Sequence, residues 1–309
     1  MSSLPPNRLQ AILTLGRISN LPTIWTNCIA AWLLNRMGRE IPVFELPPAG
    51  KSLPSLAWSE WGWILLGASL LYVAGTTLND AFDEEFDREH NPERPIPSGA
   101  LKGWETWAIG IVQMLTGAAI LLIQSGVNWL FLVMLCGTIL AYNAVHKKWG
   151  GSVFLMGGCR LFLWWTVATA GMGFDHSLSP LVVVWSVGLL VYIAGITFVA
   201  RGEATGSLPA LPWPYLLLFA PAFLGLFFCL YGTRFLALPL AAILAIGIFH
   251  GLRTAKGGGP GIGRGVAFWL ALITVGDALA VALVSPAWGW ALLFAFPLCL
   301  MIQKKYAAT

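Results

Sequence analysis

Residues 63–87 read WILLGASLLYVAGTTLNDAFDEEFD. As far as Leu78 this is a run of apolar and small residues. With the apolar residues just before it, it reaches the roughly 20 residues that a membrane-crossing helix needs. The run then ends in a concentration of carboxylates. Asp80, Asp83 and Asp87 stand at i, i+3 and i+7, which puts them on one helix face, with Glu84 on the same side. An apolar helix with a charged tip is the organising unit of the chain.

The rest of the sequence repeats the apolar half of that unit. Of 309 residues, 57% are hydrophobic and 10% charged, against about 25% charged in soluble domains; mean hydropathy is +0.74. Candidate spans fall at 12–35, 60–82, 103–124, 128–146, 152–173, 180–200, 212–230, 235–252, 266–284 and 288–303. The last is short and carries Pro297, so nine and ten spans are both open. No alternating segments of about ten residues suggest a β-barrel. The fold expected is all-α, a polytopic membrane bundle of nine or ten transmembrane helices. Tyr72-Val-Ala-Gly-Thr-Thr-Leu lines up with Tyr192-Ile-Ala-Gly-Ile-Thr-Phe 120 residues later. That repeat predicts two related halves, with the second and sixth spans facing each other across a cavity.

Basic residues set the orientation. With these spans, one side holds Arg8, Arg88, Arg94, Lys102, Lys147, Lys148, Arg201, Arg253, Lys256, Arg264, Lys304 and Lys305, and the other Arg36, Arg39, Lys51 and Arg234. The N-terminus is therefore expected on the cytoplasmic side, in a bacterial plasma membrane. The net charge of +4 follows from that asymmetry and needs no nucleic-acid partner. Tryptophans near span ends (Trp58, Trp61, Trp104, Trp149, Trp213, Trp288) read as interfacial anchors. Trp164 and Trp165 sit deeper, where a ring face toward a cationic intermediate is the alternative. The five cysteines are scattered singly in apolar runs and read as packing residues.

Carboxylates crowded on one face repel, so their grouping calls for a cation. Magnesium fits: it takes oxygen ligands, typically one or two carboxylates plus phosphate oxygens of a substrate. The competing reading is a solvated acidic helix end. Downstream, Asn91-Pro92-Glu93-Arg94-Pro95-Ile96-Pro97-Ser98-Gly99 should hold Arg94 near the acids through its restricted backbone. Tyr142 to Lys148 ends the fourth span on the same side. Acids for a metal and cations for remaining anionic charge describe a diphosphate site.

Asn79-Asp80-x-x-Asp83-x-x-x-Asp87 followed by Arg94-Pro95-Ile96-Pro97-x-Gly99, with Arg17-x-x-x-x-Pro22 earlier, resembles the UbiA superfamily of intramembrane prenyltransferases. The resemblance implies a single domain over 1–309 that transfers an isoprenyl chain from its diphosphate to a hydrophobic acceptor, aromatic or lipid-like. It implies magnesium on Asp80, Asp83 and Asp87, with Asn79, Arg94, Lys147 and Arg17 around the diphosphate. The chain departs from the family at two places. The second acidic motif is reduced to Val199-Ala200-Arg201-Gly202-Glu203, where Glu203 matches Asp83 by the repeat offset; an alignment anchored on Gly206 leaves no acid. Arg201 is then expected to stand in for a second metal beside the diphosphate, oriented by Glu203. His146 also occupies the position of an expected lysine, with Lys147 one later. These departures resemble a divergent branch such as the EboC-like proteins. They keep a second reading open, a degenerate member that binds or translocates a lipid or small molecule. The repeat and the intramembrane Arg160 and Asp277 suggest a transporter more weakly.

Overall fold

The protein is described by a computed structural model covering residues 8–39, 42, 45–48, 57–173, 176–203 and 206–306. Lys51, used above for orientation, lies outside the described residues. The helices are α1 (Arg8–Leu15), α2 (Leu21–Gly38), α3 (Trp58–Phe82), α4 (Glu84–His90), α5 (Gly103–Ala119), α6 (Trp129–Val145), α7 (Ser152–Ala168), α8 (Pro180–Ala200), α9 (Trp213–Leu217), α10 (Ala220–Tyr231), α11 (Leu238–Ala255), α12 (Pro260–Val284), α13 (Pro286–Leu292) and α14 (Ala295–Gln303). Among the described residues, six helical stretches have the length and apolarity to cross a membrane. The last of them is Pro286–Gln303, where nine and ten spans had both been open. Shorter apolar helices, Trp129–Val145, Ser152–Ala168 and Ala220–Tyr231, fill other expected positions. The chain is an integral, multi-pass, all-helical bundle.

The first expected span differs in an informative way. It is not continuous from residue 12, because α1 stops at Leu15 and Arg17 turns into the left-handed region (φ 41°, ψ 48°) before a short 3-10 turn and α2. A non-glycine residue there is strained, and the break redirects the Arg17 side chain. The span expected over 212–230 also splits, into α9 and α10. Pro221, at the start of α10, has no N–H to continue the preceding turn.

Helices approach closely where small residues meet, the usual basis of packing between apolar helices in lipid. A Cβ on Gly117 of α5 would stand 2.9 Å from the carbonyl oxygen of Gly67 on α3 and 3.0 Å from the Leu71 nitrogen. These are backbone atoms with no rotamer to yield. Outward faces stay apolar: Leu115, Ile123, Val133, Ile246 and Phe249 are exposed, as suits contact with hydrocarbon. Of the six tryptophans expected at interfaces, Trp58, Trp104, Trp149, Trp213 and Trp288 are exposed, whereas Trp61 is half-buried and packs edge-on against Trp32.

Polar contacts tie loops together at two ends of the bundle. At one end Arg8 pairs with Glu105 at 3.0 Å, Lys147 with Asp83 at 3.1 Å, and Arg201 donates to the Gly150 carbonyl at 2.7 Å. At the other, Arg36 donates to the Ala170 carbonyl, Arg39 to the Ser177 hydroxyl and Arg234 to the Pro47 carbonyl. Replacing Gly117 by Val should lower stability by about 1–3 kcal/mol through overpacking against backbone. Gly137→Val, where a Cβ meets nothing within 4 Å, is the control. Thermal unfolding of both variants in detergent checks this, and equal melting temperatures would remove the close α3–α5 contact as a determinant.

Candidate functional site

The acid-bearing face survives a break in the helix. α3 ends at Phe82 and α4 starts at Glu84, yet the Asp83 N–H donates to the Asn79 carbonyl (3.0 Å) and the Asp87 N–H to the Asp83 carbonyl (2.8 Å). All three aspartates are buried, Asp87 to 2% exposure. Buried carboxylates demand compensation, and the structure divides it. Arg94 Nη1 lies 2.8 Å from Asp87 Oδ2 and 3.5 Å from Asp80 Oδ1, so one cationic nitrogen bridges two carboxylates. Arg17 Nη2 approaches Asp80 Oδ1 at 3.7 Å. Asp83 turns instead toward the end of α6, with Lys147 Nζ at 3.1 Å and His146 Nε2 at 3.3 Å. Glu84 leaves the group and pairs with Arg88 at 2.6 Å.

Each cation is delivered by local structure. Asn91 donates to Asp87 (2.8 Å), and the turns through Pro95 and Gly99 fold 91–101 back so that Arg94 faces the acids. Gly99 supplies the positive φ (78°) that this return requires. Arg17 is aimed by its left-handed backbone, and its carbonyl accepts from the Tyr72 hydroxyl at 3.3 Å. Lys147 is held between Asp83 and the face of Phe86, 3.3 Å from the ring centroid. Burial would raise the Asp83 carboxyl, but His146 and Lys147 more than offset it and hold it below the usual carboxylate range. Burial opposes the charge of Arg94, and Asp80 and Asp87 outweigh that, raising the guanidinium above its ordinary value.

Behind this charged end lies a cavity of about 350 Å³. Arg17, Arg94, Asn79 and Glu203 line it together with apolar residues such as Leu71, Ile139, Ile193, Ile196 and Leu270. Both repeated helices contribute, α3 through Leu71 to Asn79 and α8 through Ile193 to Ala200. Asn79 donates to Asn143 (3.2 Å), which donates to the Gly75 carbonyl (3.0 Å), and this ties α3 to α6 at the rim. Arg17 and Arg94 stand between the aspartates and the cavity, since they line it and the aspartates do not.

Two expectations, and one alternative, need correction. Arg201 does not line this cavity. It donates to the Gly150 and Trp149 carbonyls and to the Ser152 hydroxyl, because the irregular α6–α7 connection has carbonyls without helical partners. Glu203 reaches the cavity without it. Trp164 and Trp165 do not line the cavity: Trp164 is fully buried in the core and Trp165 donates to Ser186. The site also contains residues passed over in the sequence. His146 had registered only as a missing lysine, whereas its imidazole is a partner of Asp83. Asn143 gave no signal beyond its nearness to Tyr142, and Arg160, noted as an intramembrane charge, lines the cavity.

The donor set suits a hard divalent cation. Asp80 and Asp87 already share one cationic nitrogen, so a small cation could sit between the same oxygens. Among the described residues no three acids close on one point. The arrangement therefore matches a metal held by one or two carboxylates with further ligands from a bound molecule.

The bundle is an intramembrane fold in which a polar mouth opens onto an apolar cavity. Residues 49–307 match the UbiA prenyltransferase family, and the chain belongs to that family. A digeranylgeranylglyceryl phosphate synthase from Pyrococcus horikoshii is 31% identical over 105 residues, 34% of this chain and 35% of that protein, so the chain spans about a third of the relative's length. A UbiA homolog from Aeropyrum pernix K1, in its apo form, superposes with a TM-score of 0.62 at 15% identity, over 86% of this chain and 96% of that one. A UbiA homolog from Archaeoglobus fulgidus bound to DMAPP and Mg2+ gives 0.55 at 14% identity, over 87% and 99%. At these identities the structural likeness is one of fold.

Arg94→Ala should leave Asp87 buried with Asn91 as its remaining side-chain partner, at a cost of about 1–3 kcal/mol. Arg94→Lys should recover part of that loss. Melting temperatures of the two variants in detergent, without ligand, measure it; a silent Arg94→Ala would mean Asp87 is compensated from elsewhere.

Proposed function

We propose that the protein transfers an isoprenyl group from a prenyl diphosphate to a hydrophobic acceptor, with magnesium at the acid cluster. One observation carries the reading: a charged mouth, built from Asp80, Asp83, Asp87, Arg17, Arg94 and Lys147, opens onto an apolar cavity within the membrane-spanning bundle. A diphosphate fits the mouth and an isoprenyl tail the cavity. Family membership and the homolog bound to DMAPP and Mg2+ support the same chemistry.

Bound magnesium would supply charge neutralisation for the diphosphate as leaving group. Asp80 and Asp87, which share the Arg94 nitrogen, would hold it, and Asp83 would join when Lys147 turns to phosphate. Arg94 and Arg17, both lining the cavity, then face the diphosphate oxygens with planar, permanently charged donors. Asn79, fixed by Asn143, presents its amide at the rim. Apolar walls limit capture of the allylic cation by water. Glu203, alone at the end of α8, carries too little charge for a second metal site. That favours catalysis from one flank or, as a second reading, binding without turnover.

The test is binding of geranyl diphosphate to purified protein by calorimetry, with and without magnesium, followed by diphosphate release across a panel of acceptors. Asp83→Asn should weaken magnesium-dependent binding by about tenfold or more, the size expected for a lost charge-assisted contact. Unchanged binding would reduce the acids to structural partners of Arg17, Arg94 and Lys147. Binding without release for any acceptor supports the degenerate reading.

The mouth is proposed to face the cytoplasm of a bacterial cell, on the side with more basic residues. In a cysteine-free background, an impermeant thiol reagent added outside should label a cysteine at Ser177 and spare one at Lys102. The reverse pattern would put the mouth on the wrong side for a cytoplasmic diphosphate.

A further inference from the structure

The last helix meets the Arg17 side of the mouth without lining the cavity. Leu298 and Met301 of α14 are exposed, and among its residues only Cys299 is buried. Cys299 Sγ donates to the Ser19 carbonyl at 3.2 Å. Gln303, one turn further on, donates from Nε2 to the Ala267 carbonyl of α12 at 3.0 Å and to Asn20 Oδ1 at 3.4 Å. Both side chains therefore close on the short 3-10 turn Ile18–Asn20, directly after Arg17.

Arg17 depends on that turn. Its left-handed backbone is strained for a residue with a Cβ, and such a conformation persists only where its surroundings over-determine it. The turn supplies part of the hold, with the Asn20 N–H donating to the Arg17 carbonyl at 3.1 Å. The Tyr72 hydroxyl donates to the same carbonyl, and the Asn20 side chain lies against that hydroxyl. The guanidinium adds little, since among the described residues its ion pair is with Asp80 at 3.7 Å. Arg160, on the same cavity wall, is fixed instead by its own side chain. It donates to Asn27 Oδ1 at 2.8 Å, and the Asn27 amide donates to the buried Asp277 carboxylate. The direction of Arg17 rests on its backbone, and that backbone rests against α14.

We propose that Gln303 and Cys299 are positioning residues for the diphosphate: through the 18–20 turn they set where the Arg17 guanidinium meets it. This rests on the prenyl-transfer reading, in which Arg17 faces the diphosphate oxygens, and it gives the last helix a part in substrate affinity. Neither residue lines the cavity, so each acts through the turn. A helix that merely packed would move stability and leave the arginine's contribution to binding as it was. A helix that holds the turn moves that contribution and no other.

The test is a pair of double-mutant cycles read by calorimetry on the full chain in neutral detergent. The probes are geranyl diphosphate and inorganic diphosphate, each with magnesium. Gln303→Leu should weaken both about fivefold, the size of one lost hydrogen bond. In an Arg17→Ala background the same substitution should change affinity by less than about twofold, because the group it positions is gone. In an Arg94→Ala background the full loss should persist, since Arg94 is carried by the 91–101 turn. Unchanged affinity in Gln303→Leu overturns the proposal, as does an equal loss with and without Arg17. An Arg17→Ala variant that binds both probes like the unmutated protein also overturns it, there being no contact to position. Should Gln303→Leu not fold, Cys299→Ala enters the same cycles through the other contact to the turn. If the unmutated protein binds inorganic diphosphate but not geranyl diphosphate, the prenyl-transfer reading falls and the inorganic probe still decides the part played by Gln303. Binding of neither probe overturns both.

Discussion

The burial of three aspartates at the end of α3 is the constraint on which the mouth of this protein depends. Carboxylates taken out of water cost several kcal/mol each unless cations and hydrogen bonds compensate them. Three separate parts of the chain supply that compensation: Arg17 before α2, Arg94 in the 91–101 turn, and His146 with Lys147 after α6. The three acids face Arg17, Arg94 and Lys147, with His146 beside Asp83. This is why the first helix breaks at Arg17. A straight helix would point that side chain out from its surface in another direction, and the left-handed residue brings it to Asp80 while its carbonyl accepts from Tyr72.

The same neutralisation separates two kinds of apolar surface. Outside, exposed leucines and phenylalanines meet lipid. Inside, leucines and isoleucines of α3, α6, α7 and α8 meet an enclosed space whose mouth is ionic. The Asn79–Asn143–Gly75 chain of hydrogen bonds marks the boundary and fixes how far α3 and α6 separate. An amphipathic ligand would be positioned by that boundary, with its charged end among the cations of the mouth and its tail against the apolar wall.

Much of this was legible because it is periodic. Spans follow from runs of apolar residues, the two ends from alternating basic loops, and the acid face from the i, i+3, i+7 spacing. What escaped is aperiodic. The resemblance puts Arg17 at the diphosphate, but the helix break there escapes the sequence, since a single left-handed residue leaves no trace in hydrophobic spacing. His146 read as a lost lysine, although an imidazole can reach the same carboxylate. Arg201 read as facing the diphosphate because it sits beside Glu203. A 3-10 turn sends the two side chains apart, one to the carbonyls of the α6–α7 connection and the other to the cavity. The contact between Arg160, Asn27 and Asp277 joins residues that no local pattern connects.

The two halves show how a repeated scaffold came to carry an unrepeated site. Tyr72 and Tyr192 hold equivalent positions, and each hydroxyl donates to a backbone carbonyl, of Arg17 at 3.3 Å and of Trp269 at 2.7 Å. The scaffold role is shared, but Tyr72 lines the cavity and Tyr192 is packed in the core. Eight residues on, Asp80 has Ala200 as its counterpart, and Ala200 is part of the cavity wall. At the mouth of the cavity the field is therefore one-sided, with Arg17 and Arg94 on the α3 flank and Glu203 beyond the end of α8, while Arg160 lies apart on α7. A diphosphate in such a field would be drawn to α3 and repelled from α8. Its tail would be left against Ile193, Ile196 and Thr197, so that the loss of the second acidic motif itself orients the substrate.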